Sequence, residues 1–240
     1  MITKFIWNAT NVDYECCLQS VASVLDLGVT PSDCTVLITR GRELDEVATQ
    51  KFTDLGVAVR EGLYTRRNKF TDVVARFNEC IVDGADVVWH LDSDVIVNNL
   101  KPLEYFHNSD VVALAAAIPT YDFYGCSFIM KCSAATTCLA DLLEHNTADL
   151  PPSAGFADDK QMGMVLDSVY GRSLVARITH ADQWCYRFDK EWSSITRVDW
   201  VHFGQRALAR QILRMDNHTS LGIIAEHMQL YREWRKTHTS

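Results

Sequence analysis

The sequence predicts an α/β fold, a single domain whose mostly parallel sheet is flanked by helices, followed by a mixed second half. Three observations carry this expectation. Apolar runs of strand length alternate with amphipathic helical segments through residues 1–100. The strands are apolar throughout, as strands buried on both faces must be, rather than alternating with polar residues. Glycines follow the helical segments, at Gly28, Gly56 and Gly84. Together they describe a sheet of the nucleotide-binding kind, in which ligands sit beyond the carboxyl ends of the strands.

In order, Lys4–Trp7 reads as a strand and Val12–Leu27 as a helix with Cys17, Val21, Val24 and Leu25 on its apolar face. Cys34–Thr39 is a second strand. Arg42–Leu55 has helical spacing, with Leu44, Val47, Ala48, Phe52 and Leu55 facing inward. Val57–Arg60 is a third strand and Asn68–Val82 the next helix. In the second half, Val111–Ala117 and Cys126–Lys131 read as strands around PTYDFYG, and Ser133–His145 as a helix with a serine N-cap. Asn146–Phe156, with two prolines and a glycine, is an irregular connection before a helix over Asp158–Val169. Ser173–His180 and Ile195–Val201 follow as strands, then Gln205–Met215 and Leu221–Arg235 as helices. No repeat or linker divides the chain, so residues 1–240 are expected to be one domain, with 1–100 binding a nucleotide and 101–240 an acceptor.

The chain of 240 residues is 48% hydrophobic and 22% charged, the composition of a globular protein able to bury a large core. Its formal charge of -8 argues against general binding to nucleic acid or anionic membrane, although a local basic patch is compatible with it. The amino-terminal MITKFIWNATNVDYE lacks the apolar core of a signal peptide, and the longest uncharged run, Val111–Tyr121, cannot span a bilayer. A cytoplasmic location is expected. The eight cysteines lack paired CxxC spacing and mostly sit in apolar segments, which predicts reduced, buried thiols.

The chemistry concentrates at DVVWHLDSDVIV, Asp86–Val97. If this run is one strand, Asp92 and Asp94 point to the same side while Ser93 faces away. Two carboxylates so close repel unless a cation lies between them, and a hard divalent ion open to phosphate oxygens suits the pair. The alternative is a strand ending in an Asp-rich turn. Far along the chain, DWVHFG (Asp199–Gly204) places His202 near the end of a predicted strand, with Gly204 permitting close approach of a ligand. Asp92, Asp94 and His202 form a candidate metal set that favours Mn²⁺ over Mg²⁺, because imidazole suits the softer ion.

LDSD after an apolar strand, the preceding RRNKFTDVVARF (Arg66–Phe77) and the late VHFG together resemble the metal-dependent GT-A fold glycosyltransferases of the Asp-x-Asp type. The arrangement is most similar to the glycogenin and galactosyltransferase-like branch. The resemblance implies a GT-A-like domain using a nucleotide-sugar donor, a UDP-sugar, whose diphosphate is bridged by Mn²⁺ or Mg²⁺. By the same resemblance Asp94 is the stronger metal ligand, Asp92 contacts ribose and metal shell, and His202 completes the set. Trp7, Ala9 and Thr10 fall where the nucleoside is held, with Ser93 and Gly204 also against the donor. Arg66 and Lys69 match basic positions near the donor phosphates, or else form a solvated turn capping a helix. Arg206 stands near the position where the family often has a lysine reaching the diphosphate.

Two matches are looser. Tyr124–Phe128, YGCSF, lies where the family lines its sugar pocket, but carries Gly125, Cys126 and Ser127 in place of the usual residues. Asp158 and Asp159, in GFADDKQMG, resemble the element beside the reacting carbon; the other reading is a carboxylate pair at a helix amino terminus. One of them would act as general base if the configuration inverts, while a purely orienting role would accompany retention, towards which the resemblance leans.

The expected activity is transfer of a hexosyl or pentosyl group to a hydroxyl on a glycan, protein, lipid or modified DNA base. A sugar nucleotidyltransferase is the alternative, although NATNVD after the first strand is no glycine-rich phosphate loop; a non-catalytic nucleotide-binding module is another. Arg206, Arg210 and Arg214 form a stripe at helical spacing, with Arg232, Arg235 and Lys236 beyond it. That stripe is either a solvated helix face or a surface for a polyanionic acceptor or lipid phosphate.

Overall fold

The computed structural model of the protein describes residues 1–38, 44–61, 83–107, 110–118, 121–137, 166–178, 183–185, 192–196, 198–203 and 217–238. Along the chain, β1 (Thr3–Ala9) leads into α1 (Tyr14–Leu25), β2 (Cys34–Ile38) precedes α2 (Glu46–Asp54), and β3 (Ala58–Glu61) precedes β4 (Val87–Leu91). The short β5 (Val95–Val97) follows β4 after three residues. Then come β6 (Ala113–Ile118), β7 (Tyr121–Lys131), β8 (Val175–Ile178), β9 (Gln183–Cys185), β10 (Trp200–His202) and the long helix α3 (Asn217–His238).

The main sheet has seven strands in the order β3-β2-β1-β4-β7-β6-β8. β1 to β4 are mutually parallel, as expected, although β3 at the sheet edge is mostly exposed rather than apolar throughout, and among the described strands of this sheet only β7 runs against the rest. The chain winds outward from β1 to β3 and then returns to β4 on the other side of β1. That reversal opens a crevice beyond the carboxyl ends of β1 and β4, where ligands of open α/β sheets bind. The sheet also joins the two halves expected from the sequence, since β4 of the first pairs with β7 of the second.

Two corrections concern strand limits. Asp86–Val97 is not one strand: β4 belongs to the main sheet and β5 to a separate three-stranded sheet, β5-β10-β9. Tyr121–Gly125, expected between strands, forms the first part of an eleven-residue β7, whose pairing with β6 slips in register near Ala116. Three more concern helices. Ile195, expected in a strand, closes a helical turn at Trp192–Ile195. Val47 is 65% exposed, because α2 turns Ala48 and Phe52, four residues apart, to the core instead. Ser133 lies inside the helix at 132–137 rather than capping it, and the expected helices over Asn68–Val82 and Gln205–Met215 lie outside the described residues.

One face of the main sheet packs on α1 through Phe5, Trp7, Trp89, Val21 and Val24, with Trp200 of the small sheet joining the same cluster. The indoles of Trp89 and Trp200 meet edge to face at 5.9 Å. Small residues let α1 lie close to the strands, and its serines satisfy buried polar groups there. Ser20 Oγ accepts from Trp7 Nε1 at 2.8 Å, and Ser23 Oγ accepts from the Val97 amide at 3.1 Å. Cys16, Cys17, Cys34, Cys126 and Cys132 are free and buried, as expected of reduced thiols. Burial pushes the Cys34 thiol up to about 12, with Asp33 adding to the effect.

α3 covers the outer face of the small sheet with Leu221, Ile224, Ala225, Met228 and Tyr231, against Ile96, Val201 and Phe203. Three of its basic residues take part in this docking. Arg232 and Lys236 pair with Asp26 at the end of α1, at 2.9 and 2.8 Å. Arg235 is 5% exposed and donates to the Val97 carbonyl. Asn98 gathers this region: its amide donates to the carbonyls of Ile195 and Val198 at 3.0 and 2.9 Å, and its Oδ1 accepts from the Tyr231 hydroxyl at 2.9 Å. The Arg206, Arg210 and Arg214 stripe lies outside the described residues.

Burial raises the Tyr231 hydroxyl to about 12, against the small opposing effect of Arg235 and the bond to Asn98. The folded protein therefore resists ionising a phenol that the unfolded chain ionises near pH 10. The stabilisation this implies is complete below about pH 10 and is lost as pH rises towards 12. Urea unfolding across that range should show the native protein losing about 2 kcal/mol more than Tyr231→Phe, which has no phenol to ionise. Parallel curves for the two proteins would contradict this.

Candidate functional site

β4 ends at Leu91 and β5 begins at Val95, so Asp92, Ser93 and Asp94 form the turn that carries the chain from one sheet to the other. The Asp92 amide still donates to the Cys126 carbonyl of β7 at 2.7 Å, and the Val95 amide donates to the Asp92 carbonyl at 3.3 Å. The second bond closes a tight turn, for which Asp and Ser are favoured residues. The carboxylates are thus presented by a turn, not by strand alternation as the sequence suggested. The turn stands beyond the carboxyl end of β4, beside the crevice at the reversal of strand order.

β10 lies antiparallel to β5, with His202 opposite Val95, and the Phe203 amide donates to the Asp94 carbonyl at 2.8 Å. This register delivers His202 to Asp94 across 108 residues of sequence, with Nε2 3.1 Å from Oδ1. His202 is 4% exposed and the Asp94 side chain 13%. The structure therefore brings two of the three expected metal ligands together through backbone pairing. Their separation suits a shared ion, because neighbouring ligands on an octahedral ion at about 2.1 Å stand about 3 Å apart. One imidazole and one carboxylate are donors that Mn²⁺ accepts. Among the described residues, no three His, Cys, Asp or Glu side chains gather closely enough to hold a metal, so Asp92 is not drawn into the Asp94–His202 pair.

Trp7 and Ala9, expected against a nucleoside, have side chains wholly buried in the core, and the Trp7 indole is held by Ser20. Thr10, at the exit of this strand, is 8% exposed and donates its amide and hydroxyl to Asp13. Ser93, expected at the donor, hydrogen-bonds Asp13 Oδ2 at 3.2 Å. The Ser127 side chain points into the core, where its hydroxyl accepts from Trp89 Nε1 at 2.8 Å. Arg66, Lys69, Asp158, Asp159, Gly204 and Arg206 lie outside the described residues.

Sequence reasoning missed Asp13 and the pair Asn8–His90. The Asn8 amide faces His90 Nε2 at 3.4 Å, and the His90 ring stacks on Phe128 with centroids 4.8 Å apart. His90, 1% exposed, precedes Asp92 by two residues on β4, so this half-buried pair underlies the turn. Asp13 occupies the N-cap position of α1, where nothing in the sequence announces a partner 80 residues away. A cleft of about 250 Å³ opens beside this start of α1, lined by Asn11, Tyr14, Glu15, Asp45 and Leu221 among others.

No family model matches the sequence, and no curated protein matches it. Solved structures do match. The galactosyltransferase LgtC, in complex with donor and acceptor sugar analogues, superposes with a TM-score of 0.58 at 12% identity, over 96% of this chain and 95% of that one. A glycosyltransferase involved in glycosylation of the major capsid of PBCV-1 gives 0.55 at 11% identity, over 96% and 100%. The bifunctional glycosyltransferase WbbM gives 0.60 at 11% identity, over 100% of this chain and 52% of that one. The chain has the fold of these glycosyltransferases, the GT-A fold.

Proposed function

We propose that the protein is a glycosyltransferase that moves a sugar from a nucleoside diphosphate donor, a UDP-sugar, to an acceptor hydroxyl. The observation that carries the reading is the 3.1 Å approach of His202 Nε2 to Asp94 Oδ1, at the ligand end of a GT-A sheet. Asp94 and His202 would hold the divalent ion, Mn²⁺ in preference to Mg²⁺, with Asp92 at its edge or on the ribose. When bound, such an ion neutralises charge that grows on the departing diphosphate. The nucleoside would then lie near the exit of β1, where the cleft lined by Asn11 and Tyr14 opens. A structure with the same fold, glucosyl-3-phosphoglycerate synthase from Mycobacterium tuberculosis, contains Mn²⁺, UDP-glucose and phosphoglyceric acid; it gives a TM-score of 0.50 at 12% identity, over 74% of this chain and 69% of that one.

In the transfer, the bond between the anomeric carbon and the diphosphate oxygen breaks and a bond from the acceptor oxygen forms. Asp158 or Asp159 takes the hydroxyl proton if the configuration inverts, or the departing phosphate takes it if the configuration is retained. Arg66, Lys69, Gly204 and Arg206 would complete the diphosphate side. The acceptor is a hydroxyl on a glycan, protein, lipid or modified base, bound by the second half of the chain.

Incubation with Mn²⁺ and a panel of nucleotide sugars should release UDP slowly even without acceptor, and EDTA should stop the release. Protein that neither releases UDP nor binds it in a metal-dependent way would overturn the proposal. Asp94→Asn should lower metal-dependent turnover by more than about 100-fold. The same substitution should move the melting midpoint by less than about 3 °C, because the backbone bond from Phe203 to residue 94 is kept. A large fall in midpoint with turnover preserved would make the Asp94–His202 pair structural only.

A further inference from the structure

We propose that Asp13 is a positioning residue that holds the exit of β1 and the Asp92–Asp94 turn as one unit. Asp13 is 5% exposed and stands at the N-cap position of α1, yet its carboxylate makes no bond to the helix amides. Instead Oδ1 accepts from the Thr10 amide at 2.7 Å and from the Thr10 hydroxyl at 2.8 Å, while Oδ2 accepts from Ser93 Oγ at 3.2 Å. An aspartate in this position ordinarily caps its helix. Here both oxygens are turned towards the strand exit and the turn.

The partners explain what the clamp serves. Thr10 is where β1 leaves the sheet, beside the cleft at Asn11 and Tyr14, and Ser93 lies between the two carboxylates of the turn. A nucleoside diphosphate bridged to a metal would span both places. A clamp between them fixes their spacing before any ligand arrives, which lowers the ordering cost of binding. That purpose rests on the donor reading above; the clamp itself rests on the three hydrogen bonds.

Hydrogen exchange on the whole chain separates the two claims. In Asp13→Ala and in Ser93→Ala, the amides of Asp92 and Val95 should exchange at least tenfold faster, while Val88 and Trp89 of β4 keep native rates. Asp13→Asn should stay within threefold of native, because its Oδ1 can accept from Thr10 and its Nδ2 can donate to Ser93. Calorimetric titration with UDP and Mn²⁺ should then show affinity falling at least tenfold in both alanine variants, with the double variant no weaker than Asp13→Ala alone. Native exchange at Asp92 and Val95, exchange raised equally throughout β4, or losses that multiply in the double variant would each overturn the clamp. Native protein that binds neither UDP nor Mn²⁺ would sink the donor reading, and the exchange rates would still decide the clamp.

Discussion

The antiparallel pairing of β5 with β10 is the constraint on which the site depends. Three residue pairs suffice: Trp200 opposite Val97, Val201 opposite Ile96 and His202 opposite Val95. A slip of one residue would send His202 to the α3 side and Val201 to the turn, because neighbouring residues on a strand face opposite ways. The register is held from both faces. Trp200 must enter the cluster of Trp7 and Trp89, and Val201 must enter the cluster under α3. The position of one imidazole is therefore enforced by apolar burial on either side of it, and the 3.1 Å approach to Asp94 follows.

That burial requires α3 to stay docked, which explains its unusual use of arginine. Arg235 is buried beside the Tyr231 hydroxyl, and burial lowers the pKa of its guanidinium. A buried cation is tolerated only with acceptors, and here it reaches the carbonyls of Val97 and Ser23 and the side chain of Asn98. These belong to the end of β5, to α1 and to the loop beyond β5. The guanidinium ties all three together, while Arg232 and Lys236 fix the rim through Asp26. The basic residues near the end of α3 thus help to hold the small sheet in place.

The parallel half of the fold was legible because the central strands β1, β2 and β4 are largely buried and α1 and α2 are each followed by a glycine, and both signals are local. Gly28, Gly56 and Gly84 do adopt positive φ, at 85°, 75° and 81°. The break between β4 and β5 was not legible, since an apolar residue on either side of Asp-Ser-Asp looks the same whether the strand continues or changes sheet. Asp94 and His202 were readable as residue types, but their meeting depends on a ladder formed 108 residues apart. Asp13 was invisible for a different reason. The helix was expected to begin at Val12, which puts Asp13 inside it, and only the structure shows that α1 starts at Tyr14 and that Asp13 turns to Thr10 and Ser93.

Electrostatics gives the strongest reason for expecting a cation in this crevice. Asp92 and Asp94 stand in the turn beyond β4, Asp13 meets Ser93 of that turn, and Glu15 and Asp45 line the cleft at the start of α1. Several described basic residues are engaged elsewhere. Lys4 pairs with Asp33, Arg177 with Asp167, Lys51 lies over the Tyr14 ring, and the basic residues of α3 face Asp26 and the end of β5. A diphosphate brought to such a place meets like charge on several sides, and repulsion within a few ångströms of a half-buried carboxylate is not screened by salt. On the proposed function, positive charge would have to come with the ligand or from Arg66, Lys69 and Arg206. On the same reading, Asp94 and His202 would hold a divalent ion that supplies this charge, so that the acidic turn would serve as a ligand set rather than an obstacle.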